Sequence, residues 1–348
     1  MEINREQLLG VLNLVRPGLS TKEIIEQSNH FILNNEQILT FNDEILVSHN
    51  FNIGVKCTVD ASLFLKLVEK MKDETIAISM MDGDGMLEIW DNKIHAELPI
   101  VKESEIHARI REVMDSIEPS SWSSLSKDFI DGLSLCAFSA STDKTEGTLC
   151  CVRVEGEDVM AGSQKRISWY VMEEAVSENF YVEGHLVQEL IRFNTLAFYT
   201  MSKSWLHFKS ESGTTVSVRR VIPMELLAFR DPFEAFGNEG KRIKIPAELR
   251  EAIDTANLVN EGEQGAHKLV RLKFDKDKIA CIGDGKRGRV YSEVDFDKPQ
   301  PIENPFEVKI RADFLIDILT YAVFMYFSKS HVVFKRQSFQ HITGVELI

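Results

Sequence analysis

Apolar residues along this chain keep to two rhythms that take turns. Six segments carry them at helical spacing: REQLLGVLNLV (5–15), SLFLKLVEKM (62–71), LSKDFIDGLSL (125–135), HLVQELIRF (185–193), AELREAIDTANLV (247–259) and ADFLIDIL (312–319). In the first, Leu8, Val11, Leu12 and Val15 share one face; in the second, Phe64, Leu67, Val68 and Met71 do. Pro246 suits the entry to the fifth. After each helix come short strand-like runs broken by polar corners near Asn35, Gly83, Gly156, Lys203, Lys276 and Lys329.

Successive corners are separated by 48, 73, 47, 73 and 53 residues, so short and long intervals alternate. Two unequal helix-plus-meander units therefore make one repeat of about 120 residues. Three repeats fill the chain, at 1–117, 118–236 and 237–348, and the joints fall in EPSSWSS (118–124) and DPFEAFGNEGK (231–241), where Pro, Gly and Ser cluster. Helices that bury one side on a meander give an α+β domain and leave the other side to solvent or a ligand.

The chain has 348 residues, 44% of them hydrophobic, enough for several cores. It contains no apolar run long enough to span a bilayer, and its first residues lack a signal-peptide layout, so a soluble, cytoplasmic protein is expected. The formal charge of −14 argues against a generic nucleic-acid coat, which works by neutralising phosphates, but leaves room for a locally basic surface. Five cysteines without C-x-x-C spacing read as buried reduced thiols.

Four chemical motifs are excluded by spacing. From Asp82, the fifth and twelfth positions of a calcium loop would be Met86 and Lys93, so the Asp-Gly cluster reads as a hairpin turn. The stretch GDGKRGRV (283–290) has no Ser or Thr after Lys286 and reads as a turn between strands. The histidines show no metal-ligand spacing, and no G-x-S-x-G elbow is present. No catalytic residue, metal or cofactor is expected, although carboxylates distant in sequence could still converge. A metal-dependent α+β hydrolase with a site at a domain junction therefore stays open as the alternative.

Several stretches carry a family resemblance. VKCTVDASLFLKLVEKM (55–71), IHAELPIV (94–101), FSAS (138–141), VRVEG (152–156), Arg166-Ile167 and the final HITGVELI (341–348) resemble the bacterial DNA polymerase III β subunit, the sliding clamp. The resemblance covers essentially the whole chain. It implies three tandem clamp domains and a head-to-tail homodimer closed into a ring, with helices lining the inner face and sheets outside. It further implies a processivity factor that encircles double-stranded DNA without sequence preference and is not an enzyme. A ring holds DNA topologically, so an acidic mean charge is no obstacle.

By the same resemblance, a hydrophobic pocket would take linear peptide motifs of a DNA polymerase and clamp loader. Its walls would be Gly162, Gln164, Lys165, Arg166 and Ile167 on one side, with Pro232, Val345 and Leu347 on the other. Arg16, Lys22, Lys66, Lys70, Lys127, Arg192 and Arg250 would face DNA. Departures from the family pattern at Gly162–Lys165 and Thr343-Gly344 imply a divergent member, bacterial or phage-encoded, with its own partners.

Overall fold

The computed structural model describes residues 1–20, 25–81, 85–101, 103–223, 228–236, 240–260, 269–328 and 330–347, the side chains of Lys241, Glu346 and Leu347 excepted. Helix-and-meander segments follow one another along it. The first comprises β1 (Glu2–Asn4), α1 (Arg5–Val15), β2 (His30–Asn34), β3 (Gln37–Phe41), β4 (Ile45–Asn50) and β5 (Lys56–Asp60). The second comprises α2 (Ala61–Lys70), β6 (Thr75–Met80), β7 (Met86–Trp90) and β8 (His95–Pro99), and α3 (Glu105–Asp115) follows it. Next come β9 (Ser123–Ser124), α4 (Phe129–Ala137), β10 (Cys151–Glu155), β11 (Asp158–Gly162), β12 (Arg166–Val171) and β13 (Phe180–Glu183). The fourth segment holds α5 (Gly184–Leu190), β14 (Leu196–Met201), β15 (Trp205–Ser210) and β16 (Thr214–Arg219), and is followed by the short α6 (Asp231–Phe236). The fifth holds β17 (Lys241–Lys244), α7 (Leu249–Asn257), β18 (Leu269–Phe274), β19 (Lys278–Gly285), β20 (Gly288–Asp295) and β21 (Phe306–Arg311). The last holds α8 (Ala312–Leu319), β22 (Phe324–Phe327), β23 (His331–Arg336), β24 (Phe339–Gly344) and β25 (Glu346–Leu347).

All six expected helices form. Asn4 caps α1 by accepting from the Gln7 amide at 3.0 Å, and Asp60 caps α2 through the Leu63 amide at 2.7 Å. The third begins at Phe129 and not at Leu125, because Ser123–Ser124 pair with β14 and the Leu125 amide donates to the Ala197 carbonyl at 2.8 Å. Of the expected corners, Asn35 and Gly156 turn with φ of 50° and 57°, while Gly83 and Lys329 lie outside the described residues. The glycine-rich 283–288 stretch is the β19–β20 hairpin, and a Cβ at Gly283 would collide with the Ala256 backbone. Its glycines let α7 lie flush on the sheet, which is a packing role and not a phosphate cradle.

The chain divides into two compact units: 1–130 with 188–221, and 131–187 with 222–348. The expected middle domain, 118–236, thus contributes to both. In the first unit, strands run in the order β5-β2-β3-β4-β16-β15-β14-β9 as one eight-stranded sheet, beside the four-stranded sheet β1-β6-β7-β8. In the second, an eight-stranded sheet runs β13-β10-β11-β12-β24-β23-β22-β17, beside the five-stranded β20-β19-β18-β21-β25.

Each eight-stranded sheet is two meanders joined edge to edge. The seams are the antiparallel pairs β4–β16, with Val47 opposite Val216, and β12–β24, with Ile167 opposite Ile342. Buried apolar faces explain the helices: Leu8, Val11, Leu12 and Val15 of α1, and Phe64 and Val68 of α2, reach the sheet, where Phe64 meets Phe31 edge-on at 6.3 Å. In the second unit, Leu249, Ile253 and Ala256 of α7 and Phe314, Leu315 and Ile318 of α8 are buried in the same way.

Helix α3 was not expected, and it packs on the other face of the first unit's sheet. Ile106, Ile110 and Val113 cover Ile32, Leu39, Phe41, Leu46 and Trp205. At one end the His107 imidazole lies 2.9 Å from the Thr58 hydroxyl on β5; at the other, Ser116 lies 3.3 Å from His207 on β15. Between them Asp43 accepts from Arg109 at 3.1 Å and from Arg219 at 2.8 Å. The helix is a strap across the β4–β16 seam.

Candidate partner groove and nucleic-acid face

Successive residues of a strand point to opposite faces, and this decides what surrounds the β12–β24 seam. Arg166 goes to the helix side. Its guanidinium donates to Asp317 at 3.1 Å and to the Phe138 carbonyl, and lies 4.1 Å from the centroid of the Phe314 ring. Burial lowers its pKa, and the Asp317 carboxylate opposes that shift. On the same side, the buried His341 ring sits 2.9 Å from the Ser168 hydroxyl, and burial, followed by the nearby Arg166 charge, pushes its pKa down to about 3.

Ile167 goes the other way. With Trp169, Val333, Ile342 and Tyr326 it forms an apolar surface on which Phe233 of α6 is seated. Gly162 stands directly opposite Ile167, and a Cβ there would come within 2.9 Å of the Phe229 ring and 3.1 Å of Ile167. Only glycine lets Phe229 approach this close. Trp169 is held by Asp158, which is 1% exposed, accepts from the indole nitrogen at 2.7 Å and pairs with Arg230. The Trp169 and Phe233 ring centroids are 5.4 Å apart. Beside them opens a cavity of about 540 Å³ whose walls include Arg153, Glu155, Met160, Phe229 and Arg230.

The groove residues named from sequence are thus partly gathered. Gly162 and Ile167 share its floor, and Pro232 is the second residue of the covering helix. Gln164 and Lys165 are exposed in the β11–β12 turn, where the Lys165 carbonyl accepts from the Gly344 amide at 3.3 Å. Val345 is half-buried just past the seam, its amide donating to the Ser330 carbonyl at 3.0 Å. Leu347 pairs with Val308 on the neighbouring sheet, and its side chain lies outside the described residues. Arg166 occupies the opposite face from Ile167. Trp169, Tyr326 and Phe233 were missed; Trp169 could have been found, since it stands two residues from Ile167 on one strand.

The cations expected to face DNA are scattered over the helices. Lys66 and Lys70 lie on the exposed side of α2, Arg250 on that of α7, and Arg16 just after α1. Lys127 and Arg192 are in turns, before α4 and after α5, and Arg192 pairs with Glu189 at 3.1 Å. Lys22 lies outside the described residues. Exposed carboxylates share these faces: Glu6 on α1, Glu69 on α2, and Glu251 and Asp254 on α7. Among the described residues, no three His, Cys, Asp or Glu side chains are grouped to hold a metal ion, and no helix is long and apolar enough to cross a membrane.

No family model matches the chain, and no curated protein matches it in sequence. Solved structures do. The DNA polymerase III β chain of Streptococcus pneumoniae superposes with a TM-score of 0.80 at 17% identity, covering 99% of this chain and 98% of that one. The fold is that of the sliding clamps. The β subunit of Pseudomonas aeruginosa gives a TM-score of 0.77 at 14% identity with both chains fully covered. So does the Helicobacter pylori clamp at 13% identity, a structure that holds a DNA ligase peptide. The clamp fold accounts for the doubled meanders, which these superpositions match along nearly the full length given for each chain.

Proposed function

We propose that the protein is a DNA sliding clamp: a head-to-tail homodimeric ring of three domains per chain (1–117, 118–236, 237–348) that encircles duplex DNA and tethers a polymerase. One observation carries the reading. Every meander ends in an outermost strand, and these are β4, β8, β12, β16, β20 and β24. Two antiparallel pairs, β4–β16 and β12–β24, already join within the chain. Strands β8 and β20 are left as sheet edges, and a bare edge is a template for another strand. The internal rule assigns β8 of one copy to β20 of another, antiparallel. Because the two edges belong to the first and last domains, the pairing is head to tail, and the proposed ring is the form of it that closes with two copies instead of running on as a filament. Charged side chains line both edges, with Glu97 exposed on β8 and Arg289, Glu293 and Asp295 on β20.

The ring holds DNA by topology, with the helix cations making loose, salt-sensitive contacts and no base readout. The surface around Ile167, Trp169 and Phe233 takes apolar side chains of short linear motifs from the polymerase and its loader. This is a tethering role in the cytoplasm, without a reaction of its own. Loading on nicked circular DNA followed by linearisation tests it. Retention on circles, release from linear ends and stimulation of a polymerase on primed template are expected. A protein that neither stays on circles nor stimulates any polymerase offered is not a clamp.

A further inference from the structure

Helix α3 closes the sheet beneath it at the seam, but toward β5 it stands off and leaves a cavity of about 360 Å³. Ile32 and Leu39 form the floor, Ile110 and Met114 one wall, and Ile100 and Val101 the other. The polar groups within are committed to each other: the Ser104 amide donates to His107 Nδ1 at 3.1 Å, and His107 Nε2 is 2.9 Å from the Thr58 hydroxyl. At the mouth, Lys56 and Arg111 both face Glu103, at 3.6 Å each, and all three side chains are more than half exposed. That separation is too long for a hydrogen bond, so Glu103 rests loosely between two cations. Its carboxyl is lowered by Lys56 first and Arg111 next.

An extended peptide has no purchase here. The edge of β5 is already met by Val101, whose amide donates to the Thr58 carbonyl at 2.9 Å, so strand addition is blocked. What remains is a half-open, mainly apolar space of the size that small molecules fill, with one anion position between two cations at its rim. We propose that this cavity binds a small amphipathic carboxylate, its apolar chain inside and its carboxylate replacing Glu103 between Lys56 and Arg111. The site is separate from the groove at the β12–β24 seam and does not depend on the clamp reading.

Calorimetric titration of the full chain with octanoate, 1-octanol and butyrate tests it. Saturable one-to-one binding of octanoate is expected, with the alcohol and the short acid each weaker by about tenfold or more. Glu103→Gln removes the resident competitor from an exposed position and tightens octanoate binding several-fold. Arg111→Ala weakens it about tenfold, and Met114→Trp, which fills the cavity, abolishes it. Equal binding of octanol and octanoate, or no octanoate binding by the Glu103→Gln protein, overturns the proposal. If Met114→Trp misfolds by circular dichroism, the exposed Glu103 and Arg111 variants decide the matter alone.

Discussion

The two seams are built alike and covered differently. At β4–β16 an eleven-residue amphipathic helix, α3, lies across the joint and buries Leu46 and Trp205. At β12–β24 the cover is α6, six residues long, which seats Phe233 but leaves Ile167, Trp169 and Tyr326 only partly buried. The same joint thus serves in one place as finished structure and in the other as an open apolar surface. Partly covered apolar area around a fixed aromatic ring is what a linear motif needs, and a strap of α3's length would remove it.

The largest effect should come from the edges that the seams predict by analogy. Proline placed singly at Tyr291 and at Ser292 of β20 strips one amide from each variant. The variant whose amide points outward should keep the β19 pairing and weaken dimerisation by on the order of a hundredfold, read by light scattering across a dilution series. Next, Ile167→Asp should cost about tenfold or more in affinity for a polymerase-derived peptide, measured by fluorescence anisotropy, while an aspartate on the strapped seam's exposed rim leaves it unchanged. Ile106→Ala in α3 should cost about 2–4 kcal/mol in urea unfolding, because Ile106 is packed against the sheet and its loss opens a void under the strap.

A smaller effect follows from one buried histidine on each eight-stranded sheet, His207 on β15 and His341 on β24. Burial lowers His207 to about 4 and His341 to about 3, from an ordinary value of 6.5. Both are neutral in the fold and take up protons on unfolding below that value. Their contribution is therefore complete above pH 6.5 and is lost as pH falls toward 4 and then 3. Unfolding midpoints measured from pH 7 to 4 should fall, and His207→Gln with His341→Gln should flatten the slope. The smallest expected change is in DNA retention: Lys66→Glu with Lys70→Glu should shorten residence on circles only at low salt, seen by comparing 50 mM and 200 mM salt.

Much of this was legible in the sequence, and the failures are instructive. Helical spacing located α1, α2, α7 and α8 because each has one wet and one buried side. The same spacing stands at Ile106, Ile110 and Val113, but it breaks the alternation of one helix with one meander, following a strand and leading into the 118–124 joint. Helix α6 contains Pro232 and spans only six residues, so composition reads it as linker. The groove was half visible: Arg166 and Ile167 are adjacent in sequence, but only strand alternation sends one to Asp317 and the other to Phe233. Phe233 reaches Ile167 across 66 residues of chain, and local pattern holds no trace of such a contact.

The proposed ring depends on β8 of one copy joining β20 of another and closing the assembly. Light scattering on the purified chain at micromolar concentration addresses it directly. A single species of twice the 39.7 kDa chain mass, unchanged over a tenfold range of concentration, is expected. A species at the chain mass alone, or a mass that climbs steadily with concentration as an open filament would, contradicts it.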